Sequence, residues 1–357
     1  TLVENGSYLY IDTQSETTGL TIAEPLVLDG DATLGYVGTL QNVKGTNVLT
    51  GPIAGLNNSV RIRSSTAGAT LDITGGIAAD ASAAGCILAT DGGGTVTLRE
   101  KPVYAHAFYA NGKSGGMVVI AATGNVARTF YMNANVRIGA QEAFEYLGNL
   151  ILGGDGRIAN VDLNGYDLTV RRSLSTHAVS TNSVIFSAAP ATLTVDQTIN
   201  TTYGGSFAGA VSLVKRGAGT LTLTNEMDRG TTTSGGVTVK AGTLTVAGDY
   251  GSLGTACTNI TVEGTGTLAL EGASASMLSD DATVRLAPAG AGSAKISLAA
   301  GIDETVGWFF FGGEPMYPGT YGATGSGAEY VDDTRFAGNG VLRVLHGKAK
   351  GTLIRVH

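Results

Sequence analysis

The sequence predicts an all-β protein that folds as a single elongated, right-handed parallel β-helix, a type of β-solenoid, and three observations support this. First, one short pattern occurs three times at a nearly constant step, because its central residues Leu221, Leu244 and Leu268 are 23 and 24 residues apart. A fixed period of this length is typical of solenoids, in which each coil buries its apolar face against the next. Second, apolar residues alternate with threonine in each copy, as in Gly219–Leu223, which indicates strands. Third, 54 glycines supply turns, while only seven prolines interrupt strand hydrogen bonding.

The composition and the distribution of the pattern predict three parts of one solenoid. With 43% hydrophobic and 14% charged residues, the 357-residue chain is too apolar for a disordered protein. Residues 1–149 carry the alternating pattern loosely and predict a less regular N-terminal part of the solenoid. Residues 150–346 carry it sharply and predict regular coils, with Asn164–Gly165 as a tight turn between strands. Residues 347–357 predict an extra C-terminal strand or tail.

Two segments of the N-terminal part depart from the strand pattern. Ala140–Leu147 has a helical composition, so we expect one or two turns of helix there. Between Glu100 and Gly116 we expect a longer excursion from the coils. With roughly 20 to 25 residues per turn and stacked strands about 4.8 Å apart, the chain would form about fifteen turns and a rod on the order of 70 Å long.

The residues of the repeat resemble a known family. Five of them match, position by position, the Lys-x-Gly-x-Gly-x-Leu-x-Leu consensus of the autotransporter-associated β-strand repeat: Lys215, Gly217, Gly219, Leu221 and Leu223. The resemblance covers about residues 150–346 and implies a bacterial, passenger-type exported β-solenoid, commonly adhesin-like and without an activity of its own. The sequence departs from the family at Glu226–Gly230, where a different turn is usual. It also contains no outer-membrane barrel, so we expect a free passenger, a cleaved passenger or a protein exported by another route.

The charge and the lack of long apolar runs restrict the partners and the location. A net charge of −7 and a pI near 5.1 disfavour nucleic acid as a partner, because phosphate binding needs clustered lysine and arginine. The sequence lacks the run of about eighteen apolar residues that predicts a transmembrane helix. The chain begins at Thr1 without a methionine. We therefore expect an exported protein, extracellular or on the cell surface, whose signal peptide has been removed.

The sequence carries no pattern that predicts a catalytic residue, a cofactor or a metal ion. Carboxylate pairs occur at Asp280–Asp281 and Asp332–Asp333, but neighbours in a strand point to opposite faces, and we interpret both pairs as solvated turn residues. Gly153–Gly156 is similar to the start of a calcium-binding repeat but occurs once. The four histidines have no partner at metal-ligand spacing and are interpreted as surface or turn residues: His106, His177, His346 and His357.

The chain has two cysteines, Cys86 and Cys257. A regular solenoid would place them many turns apart, which disfavours an intrachain disulfide bond. We predict two small buried side chains, and a disulfide bond between subunits is the alternative.

Two segments are candidates for an assembly interface. Leu353, Ile354 and Val356, in a basic tail, predict one more strand, which either caps the solenoid or pairs with the end of a second copy. Trp308 and Phe309 lie in an aromatic run within a chain that is only 6% aromatic. Their rings either anchor an interface or fill the core where the coils end.

The sequence thus predicts a non-enzymatic structural protein, extracellular or on the cell surface, that self-assembles end to end into a filament. A monomeric, adhesin-like module that binds surface glycans is the alternative, and both remain open. A polysaccharide-active enzyme is a distant third.

Overall fold

A computed structural model gives the fold of residues 1–13, 18–29, 39–56, 60–79, 85–90, 93–112, 115–154, 157–177, 182–224, 232–272, 276–288 and 294–349. The described residues are all-β, contain no helix and form parallel stacked coils, a β-solenoid of about 11 turns. The predicted fold class is confirmed. The chain divides into two compact units, Thr1–Asp196 and Gln197–His357.

The described residues of the first unit form twenty-one strands. Their bounds are β1 Leu2–Val3, β2 Leu9–Ile11, β3 Thr21–Ile22, β4 Leu26–Leu28, β5 Leu40–Asn42, β6 Thr46–Leu49, β7 Ile53–Gly55, β8 Val60–Ser64, β9 Thr70–Ile73, β10 Ile77–Ala78, β11 Gly85–Ala89, β12 Thr95–Leu98, β13 Val103–Asn111, β14 Met117–Ile120, β15 Asn125–Asn133, β16 Asn135–Ile138, β17 Phe144–Leu152, β18 Asn160–Asp162, β19 Leu168–Val170, β20 Ser173–Thr176 and β21 Val184–Asp196.

Each of the first four coils of this unit contributes three strands. In the following coils, a single long strand replaces the first two of the three. Strands β1, β4, β7 and β10 form one parallel ladder, and β2, β5, β8 and β11 form a second. Strand β13 continues both ladders, because Val103–Tyr104 pairs with β10 and Ala107–Asn111 pairs with β11. Strands β13, β15 and β17 are therefore nine residues long and run through the corner between the two ladders.

The core of the first unit is a stack of inward-facing apolar side chains. Leu150 lies in register with Phe130, and Phe130 with Phe108 on the preceding coil. The rings of Phe108 and Phe130 stack with their centroids 4.4 Å apart. Burial of such rings stabilises each coil only when the next coil covers it.

Two predictions for this unit are wrong. Residues 140–142 form a bend and a turn and β17 begins at Phe144, because register partners on the neighbouring coil override the helical propensity of Ala140–Leu147. The expected excursion between Glu100 and Gly116 is largely the strand β13, which pairs with both β11 and β15. The predicted tight turn is confirmed, since Asn164 and Gly165 both adopt positive φ angles, 53° and 81°.

In the second unit, the residues that the structure describes form fourteen strands. Their bounds are β22 Thr201–Tyr203, β23 Ser206–Arg216, β24 Thr220–Leu223, β25 Thr232–Thr233, β26 Val237–Gly248, β27 Asn259–Gly272, β28 Thr283–Leu286, β29 Lys295–Leu298, β30 Asp303–Phe311, β31 Glu314–Pro315, β32 Gly319–Gly322, β33 Tyr330–Val331, β34 Phe336–Ala337 and β35 Val341–His346.

The sequence repeat forms the first half of the second unit, as predicted. Leu221, Leu244 and Leu268 are register partners on β24, β26 and β27, and all three side chains are fully buried. Thr222 lies between two buried leucines on β24 and is half-buried on the opposite face. The alternation of leucine and threonine therefore builds an aliphatic ladder inside and a polar surface outside.

The coils are longer than the sequence period alone suggests. In the first unit, successive register partners from Leu2 to Tyr146 are 20 to 27 residues apart. In the second unit, Ile296 pairs with Phe336, forty residues further along the chain. The predicted number of about fifteen turns is therefore too high, and the observed number is about 11.

The last coil of the second unit closes with antiparallel strands. Strand β35 pairs in parallel with β30 on one side and antiparallel with β32 on the other. Both edges of β35 are therefore occupied within the chain, which is one way in which proteins protect the last strand of a ladder.

Candidate functional site

The outer face of the first unit carries a groove of about 590 Å³, a size typical of small-molecule sites. It lies on β13, β15 and β17 and reaches the start of β20. Seven of the described residues line it: His106, Val126, Arg128, Thr129, Tyr146, Asn149 and Arg172.

The groove follows the corner at which the two ladders merge. Along β13, buried and solvent-facing side chains alternate except at His106 and Ala107, where two consecutive side chains are not buried. On β17 a β-bulge adds Glu145, so that Glu145 and Tyr146 are consecutive exposed residues. Bulges re-aim side chains next to binding sites, and this one exposes 40% of Tyr146 at the groove.

Three lining residues belong to one row of cross-strand neighbours: His106 on β13, Arg128 on β15 and Arg172 next to β20. The buried Gly148 on β17 lies between the two arginines in this row. The register of the flanking pairs fixes this row. A Cβ atom on Gly148 would lie 2.3 Å from the carbonyl oxygen of Arg128, so glycine is required there. Gly148 is itself buried and separates two exposed arginines, one on each neighbouring coil.

One wall of the groove is held by side-chain hydrogen bonds between coils. Asn149 Nδ2 donates to Thr129 Oγ1 at 3.0 Å, and Ser173 Oγ donates to Asn149 Oδ1 at 2.8 Å. These bonds fix the Asn149 amide before any ligand arrives, and such preorganisation lowers the cost of binding.

The lining is positively charged in a protein of net charge −7. Among the described residues, the lining contains two arginines and a histidine and no aspartate or glutamate. Within the described ranges, neither Arg128 nor Arg172 forms an ion pair, whereas Arg137 pairs with Asp162 at 2.9 Å. The groove can therefore bind an anion through two arginines that no carboxylate of the described residues neutralises.

The sequence patterns missed most of this site. His106 was interpreted as a surface or turn residue, and no motif pointed to Arg128, Gly148 or Arg172. These four positions are 22, 20 and 24 residues apart, close to the period of the coils. Alignment of residues 100–176 by that period would have placed them in one row.

The two aromatic candidates for an assembly interface lie on opposite faces of β30. Trp308 is 37% exposed, and its ring lies 5.7 Å from that of His346 on β35. Phe309 is 1% exposed and packs edge to face against Tyr321 and Phe336. Phe309 is therefore part of the core, as the alternative reading of this segment expected.

The tail candidates Leu353, Ile354 and Val356 lie outside the described residues. His357 and part of Gly153–Gly156 also lie outside them.

The two carboxylate pairs are turn residues, as predicted. Asp280 and Asp281 are exposed in a turn. Asp332 pairs with Arg335 at 2.8 Å, and Asp333 accepts a hydrogen bond from the backbone nitrogen of Thr324 at 2.7 Å. In the part of the chain that the structure describes, no three histidine, cysteine, aspartate or glutamate residues are grouped so that they could hold a metal ion.

Both cysteines are free and fully buried, as predicted. Burial raises the pKa of the Cys86 thiol well above its ordinary range and that of Cys257 to about 11. Across the described ranges, we find no helix with the length and hydropathy of a membrane span.

Comparison with known proteins finds no family model, no curated protein and no solved structure that matches the chain.

Proposed function

We propose that the chain is an exported, non-enzymatic β-solenoid of the extracellular space or cell surface that acts as a saccharide-binding module. The groove on the first unit carries this proposal. It combines an exposed tyrosine ring with fixed amide and hydroxyl groups and two arginines, and polysaccharide ligands present apolar ring faces, hydroxyls and acidic groups. The resemblance of Lys215–Leu223 to a repeat of passenger proteins supports export.

An array of immobilised saccharides tests the binding proposal with the purified chain. Tyr146→Ala removes the exposed ring of the groove and should reduce the signal at least fivefold. Tyr250→Ala is the matched control, because Tyr250 is 50% exposed, belongs to the second unit and does not line the groove. Equal signals from wild type and Tyr146→Ala, or no saccharide bound, would contradict the proposal.

Self-assembly is the second candidate function, favoured by exposed apolar residues on the last coil of the second unit. Trp308 and Leu345 are 37% and 46% exposed. Because β32 already covers one edge of β35, we propose that a second copy contacts these side chains rather than this backbone edge.

Sedimentation velocity and electron microscopy test this candidate. Trp308→Ser and deletion of Gly351–His357 should each convert polymers into monomers, whereas Tyr250→Ala should not. Monomeric wild-type protein at high concentration would exclude self-assembly.

A further inference from the structure

We propose that the groove takes an acidic saccharide and that Arg128 and Arg172 hold its carboxylate or sulfate group between them. This inference rests on the proposed saccharide-binding function and adds the chemical class of the ligand.

Arg128 and Arg172 are not neutralised in the way that two other arginines of the first unit are. Arg99 pairs with Asp72 at 2.8 Å and Arg137 with Asp162 at 2.9 Å. Arg128 and Arg172 are exposed, line one groove and pair with no carboxylate among the described residues. An incoming anion therefore has no protein carboxylate in the lining to displace.

The spacing of Arg128 and Arg172 suits an anion held between them. Arg128 and Arg172 lie in one row two coils apart, which corresponds to about 10 Å between their backbones. Gly148 occupies the position between them in this row, is buried and adds no side chain of its own to the groove. An anion bound in the groove between the two arginines is within reach of a guanidinium from each side, and guanidinium groups bind carboxylate and sulfate oxygens through paired N–H donors.

The walls of the groove favour a saccharide over a small inorganic anion. The row of arginines is flanked on one side by Tyr146 and Val126 and on the other by Thr129 and Asn149. A free sulfate ion would leave these walls without a contact. A pyranose ring carrying the acidic group would place an apolar face on Tyr146 and hydroxyl groups near the Asn149 amide.

The groove is longer than a single sugar ring. It crosses four successive coils, from β13 to the start of β20, which span about 14 Å at the usual strand spacing. This length accommodates more than one sugar ring. We therefore infer an oligosaccharide segment of an acidic polysaccharide.

Isothermal titration calorimetry with the full chain tests the inference. The probes are trigalacturonate, a sulfated trisaccharide and a neutral trisaccharide of the same length, with sodium sulfate as the free anion. We expect the acidic trisaccharides to bind at least tenfold more tightly than the neutral one and to weaken as salt is added. The preferred acidic probe identifies carboxylate or sulfate as the recognised group.

Variants locate the binding. Arg128→Gln and Arg172→Gln should each weaken binding of the acidic probe about tenfold or more. Arg171→Gln is the matched control, since Arg171 is an exposed neighbour with the same charge that does not line the groove, and it should change affinity less than twofold. All three arginines are exposed, so the variants should fold.

The outcomes separate this inference from the proposed function. Neutral and acidic probes that bind equally, and lose affinity equally in Tyr146→Ala, would overturn the acidic ligand and leave the saccharide-binding function standing. Acidic binding unchanged in both groove variants would overturn the site. Release of an unsaturated uronate product would support the acidic ligand and overturn the non-enzymatic function.

Discussion

The ammonium group of Lys215 donates a hydrogen bond to the carbonyl oxygen of Ala241, at 3.2 Å, and so ties one coil of the second unit to the next. The same nitrogen donates to the carbonyl oxygens of Arg216 and Gly217 at 2.5 and 2.8 Å. Lys215 is fully buried, so these carbonyls replace the water that a lysine normally contacts. The lysine of the repeat motif therefore has a structural role.

Lys215→Met should destabilise the protein by about 1 to 3 kcal/mol, because it removes the ammonium donor from part-buried carbonyl oxygens, including that of Ala241 on the next coil. Lys240→Met is the matched control, since Lys240 is exposed and pairs with Glu263 at the surface, a contact worth less than about 1 kcal/mol. Urea denaturation followed by circular dichroism measures both. Equal stability of the two variants would show that the buried hydrogen bonds are not important.

Adjacent residues on β15 provide a test of the core. Phe130 is fully buried and stacks on Phe108, so Phe130→Ala should cost about 3 to 5 kcal/mol in unfolding free energy. Tyr131 faces outward and stacks on Tyr109 at 4.5 Å, so Tyr131→Ala should cost about 1 kcal/mol. A larger loss for Tyr131→Ala in urea denaturation would contradict the assignment of faces.

Glu304 predicts a dependence of stability on pH. Its carboxylate accepts hydrogen bonds from the backbone nitrogens of Met277 and Leu278 at 3.1 and 2.8 Å. Burial nevertheless raises its pKa above the ordinary value of 4.5; the backbone hydrogen bonds act in the opposite direction, and the charges of Asp280 and Asp303 raise it further.

A raised pKa in the folded state means that the folded protein holds this proton when the unfolded chain has lost it. The stability that Glu304 contributes is therefore fully present below pH 4.5 and is lost as pH rises through the folded-state pKa. The difference in unfolding free energy between wild type and Glu304→Gln should shift against the wild type as pH rises from 4 to 7. Parallel pH profiles of the two proteins would refute this expectation.

The thiols predict a pattern of chemical reactivity. Cys86 and Cys257 are fully buried and their pKa values are raised, so neither should react with a thiol reagent in the folded protein. In urea both should react, and mass spectrometry should count two labels. A label on either cysteine of the native protein within minutes would indicate local opening.

The sequence predicted the elements of the fold that depend on neighbours along the chain. Leucine and threonine alternate in Gly219–Leu223, and this alternation alone assigns the inner and outer faces of β24. The segment Ala140–Leu147 was predicted wrongly because its strand depends on register partners one coil away, which override local propensity.

The candidate site could not be predicted in the same way. His106, Arg128, Gly148 and Arg172 become neighbours only through the stacking of coils of unequal length. A bulge at Glu145 then changes which side chain of β17 faces the groove. No local pattern in the sequence records either effect.

The uniform register of Leu221, Leu244 and Leu268 also determines how this protein tolerates changes in length. Removal of residues 221–243 would bring Leu244 to the position of Leu221 and leave an unbroken ladder. Removal of one residue more would turn every following leucine of the strand toward water. Insertions and deletions in this part of the chain are therefore tolerated as whole modules, so the protein can lengthen by duplication of a coil.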